Sequence, residues 1–160
     1  GAEAAVQLCV SRQIPLVAAT TGLSREQREQ LSRAADAIPV VWAPNMSLSP
    51  HNHLMWAAIG IYTGREDNLF WKRSDHSPRG LMAGGAKAMF AGDVCEMPED
   101  AIHSVTNPLG RFTAGLHIYG GDFFDTPRSL WDAETLEEGP SDGARVRAIF
   151  EAENARLRKG

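Results

Sequence analysis

The sequence predicts a small, mainly β barrel with helical additions at both ends. Short apolar segments of strand length recur between residues 47 and 121. Glycine, proline and asparagine separate these segments, and helix-like periodicity occurs only near the two ends of the chain. Many short strands divided by turn residues are typical of all-β barrels and sandwiches.

The predicted strands are residues 55–62, 69–72, 88–90, 93–97, 102–106 and 112–119. Residues 65–68 and the pair Gly84-Gly85 are predicted turns, because glycine and short polar residues interrupt the apolar pattern there.

The two ends of the chain have a different character. Residues 14–19 and 40–42 form apolar runs of strand length, and a helix is predicted between them over residues 24–37, ended by Pro39. Residues 141–159 predict a terminal helix. We therefore divide the chain into an N-terminal α/β fragment that serves as scaffold, a barrel and a C-terminal extension with a helix: 1–38, 39–126 and 127–160.

Composition narrows the class of protein. The chain has 160 residues, of which 43% are hydrophobic and 22% charged, as in soluble globular proteins. A net charge of −4 disfavours nucleic acid as a partner, and no apolar run approaches the roughly 20 residues of a membrane span. Cys9 and Cys95 have no redox or metal spacing, which predicts a cytoplasmic protein. The expected partner is a small-molecule substrate, and the sequence leaves a homodimer open.

His51 and His53 are two residues apart beside a predicted strand. Residues i and i+2 of a strand point to the same face, so the two imidazoles are aimed at one point. On its own, the pair could equally face solvent. His76, in a polar stretch rich in turn residues, is predicted to be an exposed loop residue.

Two segments resemble the two signatures of the cupin superfamily. PHNHLMWAAIGIYTG, which ends at Gly64, resembles the first, and GDVCEMPEDAIHSVTN, which contains His103 and Asn107, resembles the second. The resemblance covers roughly residues 40–124. It implies a double-stranded β-helix barrel with a metal ion bound by His51, His53 and His103.

The chain departs from the cupin pattern at two places. Ala57 and Ala58 stand where many cupins have a glutamate ligand, so the expected site has three histidines and no carboxylate. Asp100 replaces a glycine, which is expected to distort that turn. Three neutral imidazoles leave several positions on a divalent metal open. They accept iron, nickel, zinc, manganese or copper.

The segment AGLHIYGGDFF resembles the thiol dioxygenases, which include cysteine dioxygenase and 3-mercaptopropionate dioxygenase. In that family Ser-x-His-x-Tyr follows the third ligand, the tyrosine hydroxyl points at ferrous iron, and the histidine orients the tyrosine. Gly115, His117 and Tyr119 occupy these positions here. The resemblance implies Fe(II) and catalytic roles for His117 and Tyr119. The alternative is that both residues merely line the barrel.

Further departures concern the substrate. The cysteine that is crosslinked to the tyrosine in the animal enzyme has no counterpart near His53, and the family's upstream carboxylate-binding residue is not recognisable. Arg73 and Arg111 could reach a carboxylate, although surface solvation is the favoured role. The chain is also similar to bacterial cupins described only as predicted metal-dependent enzymes. A cupin isomerase, lyase or hydrolase and a non-catalytic binding cupin therefore remain as alternatives.

Residues 14–49 resemble an internal fragment of dihydrodipicolinate reductase. The matching stretches are Thr20-Thr21-Gly22 and Ala43-Pro44-Asn45, which in that family end strands near nicotinamide and substrate. The sequence contains neither Gly-x-Gly-x-x-Gly nor the family's His-His-Lys run. We therefore expect no binding of a nicotinamide dinucleotide.

Overall fold

The computed structural model describes residues 36–141 and 143–158. The predicted strand 14–19 and the predicted helix up to residue 35 lie outside these residues. The described elements are β1 Asp36–Trp42, β2 Ser47–Asn52, β3 Ala57–Thr63, β4 Arg65–Arg73, β5 Leu81–Phe90, β6 Val94–Met97, β7 Ile102–Thr106, β8 Thr113–Tyr119, β9 Ser129–Trp131, β10 Glu138–Pro140 and α1 Gly143–Leu157.

The strands form two antiparallel sheets. One has the order β1-β8-β3-β6, and the other has the order β10-β9-β2-β7-β4-β5. The first eight strands thus pass repeatedly from one sheet to the other, which is the strand order of a jelly roll, the architecture of cupins. The predicted mainly β, double-stranded β-helix barrel with a C-terminal helix is confirmed.

The core lies between the sheets because alternate residues of each strand point inwards. One cluster is formed by residues of β3, β5, β6 and β8, and a second by residues of β1, β2, β7 and β9 with the segment after β1. Phe150 and Ile149 of α1 pack on the second cluster, where Phe150 stacks on Trp42 with ring centroids 5.6 Å apart. The helix therefore covers one side of the barrel.

Two predicted turns are wrong. Residues 65–68 belong to β4, because Gly64 completes the reversal alone with φ +85°. In β4 Arg65 and Asp67 pair with each other at 2.7 Å, outside the fully buried side chains of Glu66 and Asn68. Gly84-Gly85 lies inside β5, where the pairing slips opposite Phe70, so the glycines mark a β-bulge rather than a turn.

The ends of the barrel also differ from expectation. Asp36 and Ala37 belong to β1, so the predicted helix is wrong at these two residues. β1 is an edge strand, which tolerates Pro39 in its interior. It spans the predicted boundary at residues 38/39. Short strands β9 and β10 were not predicted, and β9 joins β2, so the sheet extends past residue 126. The terminal helix is confirmed at Gly143–Leu157.

Across residues 36–141 and 143–158, no helix is both long and apolar enough to cross a bilayer.

Candidate metal centre

Three histidines converge between the sheets. His51 lies in β2, directly opposite His103 in the neighbouring strand β7, and His53 follows β2 by one residue. One nitrogen from each ring lies within 4.8 Å of the others, and Nε2 of His53 is 3.2 Å from Nε2 of His103. The structure therefore brings together the three histidines singled out in the sequence.

Hydrogen bonds fix which ring nitrogens face the centre. Nδ1 of His51 donates to the carbonyl oxygen of Ser49 at 3.0 Å, and Nδ1 of His103 lies 2.7 Å from Oδ1 of Asn68. In His51 and His103 the lone pair on Nε2 is thereby left for the centre. Outer partners of this kind are usual for metal-binding histidines. The three rings could hold one divalent ion.

Burial keeps these rings neutral. It lowers the pKa of His51 to about 4, although the hydrogen bond to Ser49 opposes the shift. Burial lowers the pKa values of His53 and His103 well below the ordinary value, and the neighbouring histidines add to this effect. Metal ligation requires deprotonated nitrogens, so all three rings are ready to bind at neutral pH.

Tyr119 and His117 lie beside the three histidines on β8. Nδ1 of His117 is 3.1 Å from the Tyr119 hydroxyl, and the Tyr119 ring contacts the His53 ring edge-on with centroids 4.8 Å apart. Burial raises the pKa of Tyr119 above its ordinary value, so the hydroxyl keeps its proton. Both side chains border the same cavity as His51 and His103.

Glu66 is a site residue that the sequence did not reveal. Its side chain is 0% exposed, accepts a hydrogen bond from Trp42 Nε1 at 2.7 Å, and lies 3.5 Å from Nε2 of His117. Burial raises the pKa of this carboxyl, but His117, Asn68 and Trp42 outweigh burial, so the pKa falls below its usual value. Because polar residues lie on both sides of Glu66, the sequence predicted a turn here instead of a strand.

A cavity of about 650 Å³ adjoins the histidines between the barrel and α1. Arg128 borders it, half-buried, with its guanidinium 3.8 Å from the centre of the Phe123 ring. Within the described ranges no carboxylate forms an ion pair with Arg128, and its Nε donates to the Thr126 carbonyl. Arg128 therefore offers the cavity a positive charge that no carboxylate of the described residues pairs with.

The two arginines that the sequence suggested as possible carboxylate-binding residues lie outside this cavity. Arg73 is exposed and forms a two-bond ion pair with Glu138 at 2.7 Å. Arg111 is exposed and does not border the cavity. His76 is also exposed, in the turn between β4 and β5. Among the described residues, the histidine group that could hold a metal includes no carboxylate.

Comparison with known families shows a match at the N-terminus. The family model for the N-terminus of dihydrodipicolinate reductase matches residues 1–46. The 4-hydroxy-tetrahydrodipicolinate reductase of Rhodopirellula baltica is 60% identical over 47 residues, which cover 29% of this chain and 17% of that enzyme. The enzyme of Stenotrophomonas maltophilia is 50% identical over 48 residues, which cover 30% and 20%.

The resemblance to this reductase is thus confirmed, although the match spans only about a fifth of the length of these relatives. Its described part, residues 36–46, contains β1, which pairs with β8 of the barrel along its whole length.

Solved structures with a similar fold include cupins. The DMSP lyase DddQ from Ruegeria pomeroyi has a TM-score of 0.48 and 20% identity, covering 64% of this chain and 45% of that one. A cupin 2 conserved barrel domain protein from Salinispora arenicola has a TM-score of 0.44 and 22% identity, covering 56% and 64%. At these values the likeness adds nothing to the strand order described above.

Proposed function

We propose that this chain is a metal-dependent cupin enzyme of the thiol-dioxygenase type, acting on a small thiol acid. The observation that supports this proposal is the meeting of three kinds of group at one cavity. They are the three neutral imidazoles, of which His51 and His103 border the cavity, the hydrogen-bonded pair His117–Tyr119, and the guanidinium of Arg128, which pairs with no carboxylate among the described residues. Ferrous iron held by His51, His53 and His103 would supply open positions at which a thiol and dioxygen can react.

Tyr119 would act as a hydrogen-bond donor to the reacting atoms. Its raised pKa keeps the hydroxyl protonated, and His117 restrains its direction from 3.1 Å. A fixed donor beside developing negative charge in a water-poor site is typically worth about 3 kcal/mol of barrier. Gly115 stands where the family has a serine beside this histidine. The side chains of His117 and Tyr119 therefore position each other without a third partner at residue 115.

Arg128 would bind the carboxylate of the substrate. A guanidinium presents two parallel N–H groups that match the two oxygens of a carboxylate. Stacking on Phe123 holds the group at the cavity wall, and partial burial makes its attraction for an anion stronger than that of a surface arginine. The acid group of the substrate would then lie at Arg128, with its thiol directed at the histidines.

The size of the cavity favours a second candidate. About 650 Å³ exceeds the space that a small thiol acid fills, and lies within the range of pockets for larger ligands. A cupin lyase, isomerase or hydrolase that uses zinc, manganese, nickel or copper as a Lewis acid would fit the same three histidines. A binding cupin without catalysis would also fit them.

Metal analysis and oxygen uptake together test the proposal. Protein purified without added metal is expected to contain iron. His51→Ala, His53→Ala and His103→Ala should each lose most of it, whereas the exposed control His76→Ala should lose none. Iron-loaded wild-type protein should consume oxygen with a small thiol acid. If it binds iron but consumes no oxygen with any such acid, the dioxygenase proposal fails and the Lewis-acid candidate takes its place.

A further inference from the structure

We propose that Glu66 is a positioning residue that sets the direction of hydrogen bonding in the chain that leads through Asn68 to His103. The other oxygen of the same carboxylate lies beside Trp42 and His117. This inference rests on the proposed metal site. It adds a buried carboxylate that touches none of the three metal-site histidines but governs how one of them presents its lone pair.

This series of hydrogen bonds can run in only one direction while Glu66 is a carboxylate. Its Oε1 can only accept, so the amide nitrogen of Asn68 must face it, at 3.0 Å. The amide oxygen of Asn68 then faces Nδ1 of His103 at 2.7 Å and also accepts. The proton of neutral His103 is thereby held on Nδ1, and the lone pair on Nε2 is turned to the metal site.

Replacing the Glu66 carboxylate by an amide removes this control over the orientation of Asn68. A neutral amide at position 66 can donate as well as accept, so Asn68 could turn over and offer its nitrogen to His103. Nδ1 of His103 would then accept, and its proton would move to Nε2, where it blocks the metal. Asn68 alone cannot exclude this arrangement, because its two ends have nearly the same shape.

The other oxygen of the same carboxylate faces Trp42 and His117. Oε2 of Glu66 accepts from Trp42 Nε1 at 2.7 Å and lies 3.5 Å from Nε2 of His117, an ion-pair distance. A fully buried carboxylate needs donors or a cation around it. Asn68 and Trp42 supply the donors. The His117 ring lies between this carboxylate and the Tyr119 hydroxyl, which is 3.1 Å from Nδ1.

Packing alone does not account for the carboxylate. An apolar side chain of similar size would fill the same space without the cost of burying a charge. Instead, Oε1 accepts from Asn68, whose amide oxygen faces His103, and Oε2 accepts from Trp42. The charge therefore has a role in orienting its neighbours.

The test is Glu66→Gln, with Asp67→Asn as the matched control. Asp67 is the next carboxylate in β4, on the outer side, and is paired with Arg65. We expect Glu66→Gln to weaken cobalt(II) binding about 10- to 100-fold, the usual loss when an outer partner of a ligand is removed. Nitrogen NMR of the metal-free variant should show the His103 proton shared between both ring nitrogens. Asp67→Asn should match wild type in both measurements.

A rescue experiment distinguishes a lost direction of hydrogen bonding from a packing defect at position 66. In Glu66→Gln/Asn68→Asp the charge moves two residues along β4, and the new carboxylate accepts directly from Nδ1 of His103. Cobalt affinity and the His103 tautomer should return to the wild-type range. A packing defect at position 66 would not be repaired in this way.

Several outcomes would overturn the proposal. One is a folded Glu66→Gln variant with wild-type cobalt affinity and the wild-type His103 tautomer. Another is a double variant no better than the single one. Should Glu66→Gln not fold, Asn68→Leu, which breaks the chain while keeping Glu66, must show the same loss and tautomer change. If wild-type protein binds no cobalt, the proposed function fails, while the NMR measurement still decides the role of Glu66.

Discussion

Acid should destabilise the metal-free protein through its buried histidines. In the unfolded chain a histidine has a pKa of 6.5, whereas burial lowers the pKa of folded His51 to about 4. Between these values the unfolded state binds more protons than the folded state. The contribution of neutral His51 to the free energy of unfolding is therefore fully present above pH 6.5 and is lost as the pH falls towards about 4.

The size of the effect follows from the two pKa values. The difference between 6.5 and about 4 corresponds to about 3 kcal/mol for His51 alone. His53 and His103 act in the same direction, since burial lowers their pKa values as well. Domains are typically stable by about 5–15 kcal/mol, so the metal-free protein should lose a large part of its stability in this range.

Urea denaturation with a chelator present, followed by tryptophan fluorescence at pH values from neutral to about 4, measures this loss. Glu66 contributes at a lower pH, since its pKa lies below its usual value of 4.5 and its stabilisation is lost only as the pH falls through it. His51→Gln should reduce the slope of stability against pH by about one proton, and the exposed control His76→Gln should not. A free energy of unfolding that stays constant across this range would refute the reasoning.

Three further predictions concern single positions. Gly64→Ala should cost about 3 kcal/mol or more, because the backbone there has φ +85° and the new Cβ would collide with Thr113 Oγ1. Gly92→Ala, at φ +99° with no atom within 4 Å of the new Cβ, should cost only about 1–2 kcal/mol by urea denaturation, and equal costs would contradict this. Tyr119→Phe should leave the metal content unchanged and lower thiol-dependent oxygen uptake about 100-fold; an unchanged rate would exclude Tyr119 as the donor. Arg128→Met should raise the KM of an acid substrate about 10- to 100-fold with little change in kcat; a lower kcat at constant KM would show that Arg128 does not bind the carboxylate.

Local patterns predicted the parts of this protein that depend on short-range geometry. The strand at residues 102–106 agrees with β7, and the two-residue spacing of His51 and His53 directs both rings inwards. The structure shows physical reasons for two signature residues, of which only the reason at Gly64 is local. Gly64 lies at a positive φ, and buried Asn107 donates to the backbone oxygens of Trp42, Ala43 and Arg111 at 2.8–3.2 Å.

Residues whose role depends on partners distant in the sequence could not be predicted. Glu66 and Asn68 were assigned to a turn, because a polar run with no apolar alternation predicts no strand. Pairing of β4 with both β5 and β7 overrode that local preference and buried the two side chains. Glu66 meets Trp42, which is 24 residues away, and Asn68 meets His103, which is 35 residues away.

The sequence by itself therefore determined the barrel, the terminal helix and the three histidines, since period-two patterns and signature spacings specify which side chains share a face. Tertiary structure decided which groups surround them. Arg128 reaches the cavity because β9 joins β2, and α1 covers it because Phe150 stacks on Trp42. Such contacts depend on strand order and packing between distant segments, which no local pattern encodes.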